Sequence, residues 1–206
     1  MNGSRADRER PVKVSGKKVA EHRAALLETA RRLLQERGFD GAGVADISRE
    51  AGLTQGALYG QFKSKSALAR EAACKAFADG AASWRELRDV VPDPLLAYLD
   101  TYLCESHMKD AGSGCLMAAC VSDVPRQDDA IGAAFAEGFL SLVELIQGAL
   151  SEGIPEDVAR RRSIALVSAM VGSVAMARAV EKADPELSRE IIAAARKELE
   201  HLAARR

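Results

Sequence analysis

The chain has little of what marks several common classes of protein. It contains 4 cysteines, 3 histidines and 1 tryptophan in 206 residues, and aromatic residues make up 4%. Without a CxxC pair or a matching histidine spacing, neither a zinc site nor another metal or cofactor is expected, and the thiols should be reduced. The longest charge-free run, residues 163–177, is shorter than the roughly 18 residues of a membrane span. With no apolar stretch behind the basic N-terminus, we expect a cytoplasmic protein without a membrane partner.

The sequence also lacks any strand pattern or internal repeat, and the apolar periodicity throughout is helical, which predicts an all-α fold. Residues 1–17 have no periodicity and mixed charges, so they predict a disordered basic arm, either a minor-groove contact or a solvated tail. Residues 18–64 predict a three-helix domain, and residues 65–206 a larger helical domain. Residues 1–70 hold 14 Lys and Arg against 8 Asp and Glu, whereas the remainder holds 15 against 22. A basic N-terminal part suits a polyanionic partner.

Residues 44–63, VADISREAGLTQGALYGQFK, carry the clearest motif. Two short helices are predicted on either side of Gly52, whose freedom to adopt positive φ ends the first helix. Thr54 can accept a backbone N–H and cap the second helix. Leu58 and Phe62 then face inward, and a small polar-tipped face points outward. This is a helix-turn-helix, which predicts DNA binding in the major groove.

The same residues resemble the TetR/AcrR family of bacterial transcriptional regulators. The resemblance rests on Gly38-Phe39, VADISREAG, LTxGxLYxxF and Lys65, and it covers about residues 20 to 70. Gly43 departs from the pattern, because the family usually has a Ser or Thr there that caps a helix and touches a phosphate. The resemblance implies a two-domain, all-α, dimeric repressor whose C-terminal domain binds a small-molecule inducer.

Side-chain chemistry suggests roles within the motif. Gln55 can read adenine or contact a phosphate, and Ala57 can touch a thymine methyl. The hydroxyl of Tyr59 suits a phosphate, although the ring can also simply cover the motif. The candidate DNA-binding residues are Thr54, Gln55, Gly56, Ala57, Tyr59, Lys63 and Lys65.

The last two predicted helices, about residues 156–181 and from Pro185 onward, suit a dimer interface. The first of them is apolar nearly all round, with one face of small residues. If that face meets a symmetry mate, a two-fold homodimer forms, and its operator in double-stranded DNA should be palindromic or nearly so. The alternative is a well-covered monomer core. The predicted interface residues are Ala165, Ser168, Gly172, Ala175, Leu187, Ile191, Ala195 and Leu199.

Aromatic and flexible side chains of the C-terminal part predict either ordinary core packing or an apolar pocket, and the family resemblance favours the pocket. Its inducer is not identified by the sequence. The candidate ligand-binding residues are Trp84, Tyr98, Tyr102, Cys115, Met117, Phe135, Phe139 and Met170.

Cys104, Cys115 and Cys120 flank the turn at residues 110–114. Cys115 follows two glycines and lies near Lys109, so it is a candidate redox or electrophile sensor, and plain buried cysteines are the alternative. A remote alternative is an electrophile-processing enzyme using Cys115 and His107, but without a nucleophile–base set we expect no catalytic residues. A helical adaptor that binds protein is a third possibility. The leading hypothesis remains a dimeric repressor released by a small apolar or electrophilic inducer.

Overall fold

The computed structural model describes residues 16–150 and 153–204. Among these residues the regular structure is helical and contains no strand. The predicted arm lies outside the described residues except for its last two positions, which begin the first helix. The helices are α1 (Gly16–Gly41), α2 (Val44–Glu50), α3 (Gln55–Tyr59), α4 (Lys65–Val90), α5 (Pro94–Tyr102), α6 (Glu105–Lys109), α7 (Leu116–Cys120), α8 (Asp129–Leu150), α9 (Glu156–Val180) and α10 (Pro185–Ala204), with a 3₁₀ turn at Val124–Arg126.

Helix α1 is interrupted at Gly38. Gly38 has φ 70° and ψ −179°, which an L side chain rarely adopts. A Cβ there would also lie 2.5 Å from a carboxylate oxygen of Asp123. The same oxygen accepts the Phe39 N–H at 3.3 Å. Gly38 therefore lets the end of α1 close against the segment that follows α7.

The chain after Pro94 forms two short helices rather than one long one. Helix α5 ends before Leu103, whose φ −95° and ψ 63° are not helical, and α6 starts after the extended Cys104. Nδ1 of the His107 ring lies 2.6 Å from the Tyr102 carbonyl. The break turns the ring back onto the end of α5, where it satisfies a carbonyl that the helix leaves open.

Helix α4 connects the two domains, packing on α1 at its beginning and on α8 further along. Ser64 caps it by accepting the Ala67 N–H at 3.0 Å. One continuous core joins both domains. The rings of Phe39 and Phe77 both pack on Phe135, with centroid separations of 6.1 Å and 5.1 Å. The DNA-binding end and the C-terminal domain therefore share packed side chains as well as a connecting helix.

Helices α8, α9 and α10 form the rest of the C-terminal domain, with α9 packed against both of the others. By length and composition α9 could cross a membrane. However, Leu166, Met170 and Val174 on its inner face have no exposed surface. This burial is typical of a core helix in a helical bundle.

Candidate DNA-binding surface and interdomain cavity

The turn between α2 and α3 has the predicted geometry. Gly52 adopts φ 68°, and the Leu53 N–H donates to the Ser48 carbonyl at 2.8 Å. Thr54 Oγ1 accepts the Ala57 N–H at 3.1 Å, so Thr54 is the N-cap of α3. Leu58 and Phe62 are buried, as expected. The motif therefore holds α3 at the protein surface through a capped start and an apolar inner face.

The outer face of α3 is the candidate DNA-binding surface. Gln55, Gly56 and Lys63 are exposed, and Tyr59 retains 54% of its surface although it is aromatic. Ala57 is half-buried. A Cβ on Gly56 would find only Thr54 Oγ1, at 3.7 Å, which is an ordinary contact. The fold itself therefore does not require glycine at position 56.

Lys65 lies differently from the other candidates. It is half-buried, and its Nζ donates to the Phe39 carbonyl at 2.6 Å. This bond fastens the start of α4 to the end of α1. In the free protein the ammonium is thus occupied within the domain, and its role as a phosphate contact remains a prediction.

Arg23 holds the segment that follows α3 in place through contacts that are distant in sequence. Its guanidinium lies over the ring of Phe62, 4.4 Å from the centroid, and donates to the Gln61 carbonyl at 3.1 Å. It also forms an ion pair with Glu71. These partners lie about forty positions away, so no local pattern could have revealed them.

A cavity of about 500 Å³ lies between α1, α4, α5, α8 and the segment from α6 to α7. Its apolar lining comes mainly from Phe77, Met117, Leu142 and Leu145, whereas polar groups from α1, from Tyr98 and Tyr102 and from residues 107–115 form its polar wall. A Cβ on Gly138 would lie 2.4 Å from the Phe77 ring, so glycine allows this ring to rest on α8. The sequence predicted neither Phe77 nor the contribution of α1.

Four of the eight predicted ligand-binding residues reach this cavity: Tyr98, Tyr102, Cys115 and Met117. The other four do not line it. Trp84 is buried against Tyr98 with ring centroids 4.7 Å apart, and Phe135 packs between the two domains. Met170 is fully buried, and Phe139 packs on the core. In these four, packing takes the side chain away from the cavity wall.

The polar wall contains the buried hydroxyl of Tyr102. Tyr102 is 6% exposed, and its buried Oη forms no hydrogen bond of ordinary geometry, although the Cys115 thiol lies near it. Burial first, and the nearby Cys115 thiol second, raise the pKa of Tyr102, so the phenol stays protonated. Burial also raises the pKa of Tyr98. The two tyrosines that line the cavity are therefore neutral.

His107 in the same wall has a defined tautomer. Its Nε2 accepts the Cys115 backbone N–H at 2.9 Å, so the ring proton must lie on Nδ1, which donates to the Tyr102 carbonyl. Burial lowers the pKa of His107. Both ring nitrogens are therefore engaged with the backbone, and neither is paired with the Cys115 thiol.

The three cysteines around the turn have different surroundings. Cys120 is fully buried, its thiol donates to the Leu34 carbonyl at 3.2 Å, and burial raises its pKa to about 12. Cys104 is half-buried and donates to the Thr101 carbonyl. Cys115 is half-buried and lines the cavity. Among the described residues, no group of three or more metal-ligating side chains is placed to hold an ion.

The predicted dimer residues divide between surface and core. Ala165, Ser168 and Leu187 are exposed, whereas Leu199 packs within its own chain and is 7% exposed. Gly172, Ala175, Ile191 and Ala195 are half-buried. Ile164 and Met176 on the same side of α9 expose 38% and 57% of their surface. The outer side of α9 therefore carries apolar side chains that this chain does not cover.

A capped helix-turn-helix, joined to a helical domain with a cavity beside the joint, defines a DNA-binding regulator. Sequence comparison agrees: the pattern of the bacterial regulatory proteins of the tetR family matches residues 26–72, and that of the LmrA/YxaF-like transcriptional regulator C-terminal domain matches residues 95–188. The chain belongs to the TetR family of transcriptional regulators. No curated protein sequence matches it.

Solved structures share the fold. The reduced form of Escherichia coli NemR is 22% identical with a TM-score of 0.75, over 88% of this chain and 96% of NemR. A TetR-family regulator from Agrobacterium tumefaciens is 21% identical with a TM-score of 0.74, over 89% and 98% of the two chains. A TetR regulator from Legionella pneumophila is 17% identical with a TM-score of 0.75, over 92% and 98%. At these low sequence identities, the structural similarity shows a shared fold.

Proposed function

We propose that the protein is a dimeric repressor that binds a palindromic or near-palindromic operator through α3 and is released when a small apolar or electrophilic molecule occupies the cavity. The observation that carries the proposal is the shared wall: α1 of the DNA-binding domain lines the same cavity as α5 and α8. An occupant therefore touches both domains directly. It can favour one domain arrangement over another only through such differential contacts.

The proposed DNA contacts follow from the surface of α3. Gln55 and Tyr59 present a carboxamide and a phenol to the groove and its phosphates, and Lys63 adds a positive charge. Glycine within a helix is less stable than alanine by roughly 0.5–1 kcal/mol. Since an alanine at position 56 fits within the protein, the glycine suits a close approach of the helix backbone to DNA.

Position 56 therefore provides the test. Fluorescence anisotropy is measured on a duplex selected from a random-sequence pool by the purified protein. We expect Gly56→Ala to weaken binding by about tenfold, which corresponds to about 1.4 kcal/mol, and Tyr59→Ala to weaken it as well. Gly148→Ala, an exposed helix position where a Cβ meets nothing within 4 Å, is the matched control. Equal affinity of all variants, or failure to select any duplex, would overturn the proposed role of α3.

The dimer is proposed to form through the outer side of α9 together with α10. Ile164 and Met176 expose apolar surface there, and a Cβ on Gly172 meets no atom of its own chain within 4 Å. Gly172→Leu should therefore leave the single chain folded and disrupt the dimer. Sedimentation shows the result, and an unchanged dimer mass would place the interface elsewhere.

Cys115 favours a second candidate function, that of a thiol-based sensor. Its half-buried thiol lines the cavity, and the similar E. coli NemR structure is described as a reduced form. If this function is correct, a thiol oxidant releases the wild-type protein from DNA but not Cys115→Ser. Cys104→Ser is the control and should respond like the wild type. Release of Cys115→Ser by oxidant would exclude Cys115 as the sensor.

A further inference from the structure

The turn before α7 is bonded to α1 through its backbone. Arg31 Nη1 donates to the Gly112 carbonyl at 3.2 Å, and Gln35 Nε2 donates to the Gly114 carbonyl. Arg31 also donates to Gln35 Oε1, so the two side chains hold each other in place. Gln35 is 5% exposed. We call Arg31, Gln35 and these two carbonyls the α1 latch.

In the latch, the turn at residues 112–114 lies very close to α1, Arg178 and His107. A Cβ on Gly112 would be 2.8 Å from Glu36 Oε1 on α1. A Cβ on Gly114 would be 2.6 Å from Arg178 Nη2 and 2.8 Å from the His107 ring. The turn therefore lies close between α1 and the C-terminal domain, and a side chain at either glycine would displace Glu36 at the first, and Arg178 and the His107 ring at the second. A small displacement on the cavity side must move the carbonyls that α1 binds.

On the side of the turn that faces the cavity, His107, Cys115 and Arg178 form a set of hydrogen bonds. A molecule in the cavity would lie beside them. Cys115 follows Gly114, and its N–H donates to His107. Arg178 of α9 donates to the His107 carbonyl at 2.7 Å and to the Met108 carbonyl at 3.0 Å. A polar connection thus runs from α9 through His107 and Cys115 to α1. The His107 ring and Cys115 both line the cavity.

We propose that the α1 latch is the element through which the cavity wall at Cys115 and the orientation of the DNA-binding domain are coupled. The inference rests on the proposed DNA-binding function. Breaking the latch leaves the buried Gln35 amide without its acceptor, whereas Arg31 keeps its ion pair with Glu28. The cost of the unpaired amide favours movement of the turn together with α1. Arg31 and Gln35 are positioning residues in this scheme. Their role is to make the conformation of the cavity wall depend on the orientation of the DNA-binding domain, and the reverse.

Coupling between two sites is reciprocal, so DNA must affect the cavity wall as the wall affects DNA binding. The probe is iodoacetamide, which replaces the thiol proton of Cys115 by a carbamidomethyl group with release of iodide and a proton. Its rate at Cys115 is measured by peptide mass spectrometry, with and without a saturating amount of the duplex selected by the protein. Fragment ions separate Cys115 from Cys120, while Cys74 and Cys104 report general changes in accessibility.

We expect the duplex to change the Cys115 rate at least about fivefold in the wild type, the lower end of usual allosteric coupling. The change should disappear in Arg31→Met and in Gln35→Met. Arg32→Met is the matched control, because it removes the same charge from the neighbouring position and breaks ion pairs with Glu36 and Glu50, as Arg31→Met breaks the one with Glu28. The hydrogen bonds of Arg32 go to these glutamates rather than to the turn. It should keep the full response.

The outcomes separate the two proposals. No duplex binding by the wild type contradicts the proposed function and with it the inference. Binding without any effect on the Cys115 rate overturns the inference alone. Persistence of the effect in both latch variants also overturns it, and assigns the coupling to α4, which runs from the DNA-binding domain into the cavity wall. Circular dichroism verifies that each variant is folded, and Gln35→Met supplies an uncharged second test if Arg31→Met is not.

Discussion

The two halves of the molecule use buried space in different ways. In the DNA-binding domain, apolar side chains such as Leu26, Leu33 and Leu58 fill the interior with no exposed surface. In the C-terminal half, α5 and α8 together with α1 and α4 surround a cavity, and the buried Tyr102 hydroxyl forms no hydrogen bond of ordinary geometry. The first arrangement resists deformation, whereas the second leaves space and polar groups for an additional molecule.

This difference in packing fits the different roles proposed for the two domains. A recognition helix must be presented in one geometry, so α3 is fixed by a cap, a glycine turn and a full core. If the cavity senses a small molecule as proposed, its wall must be able to change arrangement, and the turn in that wall is held to α1 through backbone carbonyls. The region of contact between α1 and residues 112–114 is where the two kinds of packing meet.

The comparison predicts unequal costs for the same truncation in the two halves. Leu58→Ala should destabilise the DNA-binding domain by about 2–5 kcal/mol, because the filled core cannot collapse around the loss. Leu142→Ala, at the cavity, should cost only about 1 kcal/mol, since part of that side chain already faces open space. Thermal unfolding and hydrogen exchange of the α1–α3 amides measure both. Equal costs would contradict the difference in packing.

Much of the first half could be predicted from local sequence. Gly52, Thr54 and Leu58 act within a few residues of themselves, and the structure places each as expected. The cavity depends on contacts distant in sequence, such as those from Gln35 to Gly114 and from Arg31 to Gly112, which are 79 and 81 positions apart. No periodicity encodes them. For the same reason, Trp84 and Phe135 could not be distinguished in advance from residues that line the cavity.

Filling the cavity from within should cost somewhat less than emptying the core. Gly138→Val forces the Phe77 ring away from α8 and toward the cavity, and overpacking of this kind costs about 1–3 kcal/mol. Gly148→Ala on the same helix should have the opposite effect on stability. Its Cβ meets nothing within 4 Å, so it should stabilise α8 by up to roughly 1 kcal/mol. Thermal denaturation distinguishes the signs, and destabilisation by both would refute the steric argument.

The cavity wall should also respond to pH through His107. Burial lowers the folded-state pKa of His107 below its unfolded value, so its contribution to stability is present above about pH 6.5 and is lost as pH falls through the folded pKa. Arg178 opposes protonation and Asp110 favours it. The melting temperature of the wild type should therefore fall more on acidification than that of His107→Asn. A ring pKa above 6.5 by NMR would contradict the assigned tautomer and its environment.

The smallest expected effect concerns the DNA-binding domain, at a helix cap that lacks a side chain. Gly43 precedes α2 with extended φ and ψ and no side-chain hydrogen bond, whereas Thr54 and Ser64 cap the helices that follow them. Gly43→Ser adds a hydroxyl that can accept an α2 N–H, worth a few tenths of a kcal/mol.

The new Cβ at position 43 meets only Asp46 Oδ2, at 3.3 Å, and this is the end of a flexible side chain. The serine should therefore fit, raise the melting temperature slightly and add a donor beside α3 that a DNA phosphate can use. Gly43→Ala lacks the hydroxyl and is the control. If serine and alanine give the same stability and the same DNA affinity, the missing cap has no consequence, and α2 depends on its packing through Ile47 alone.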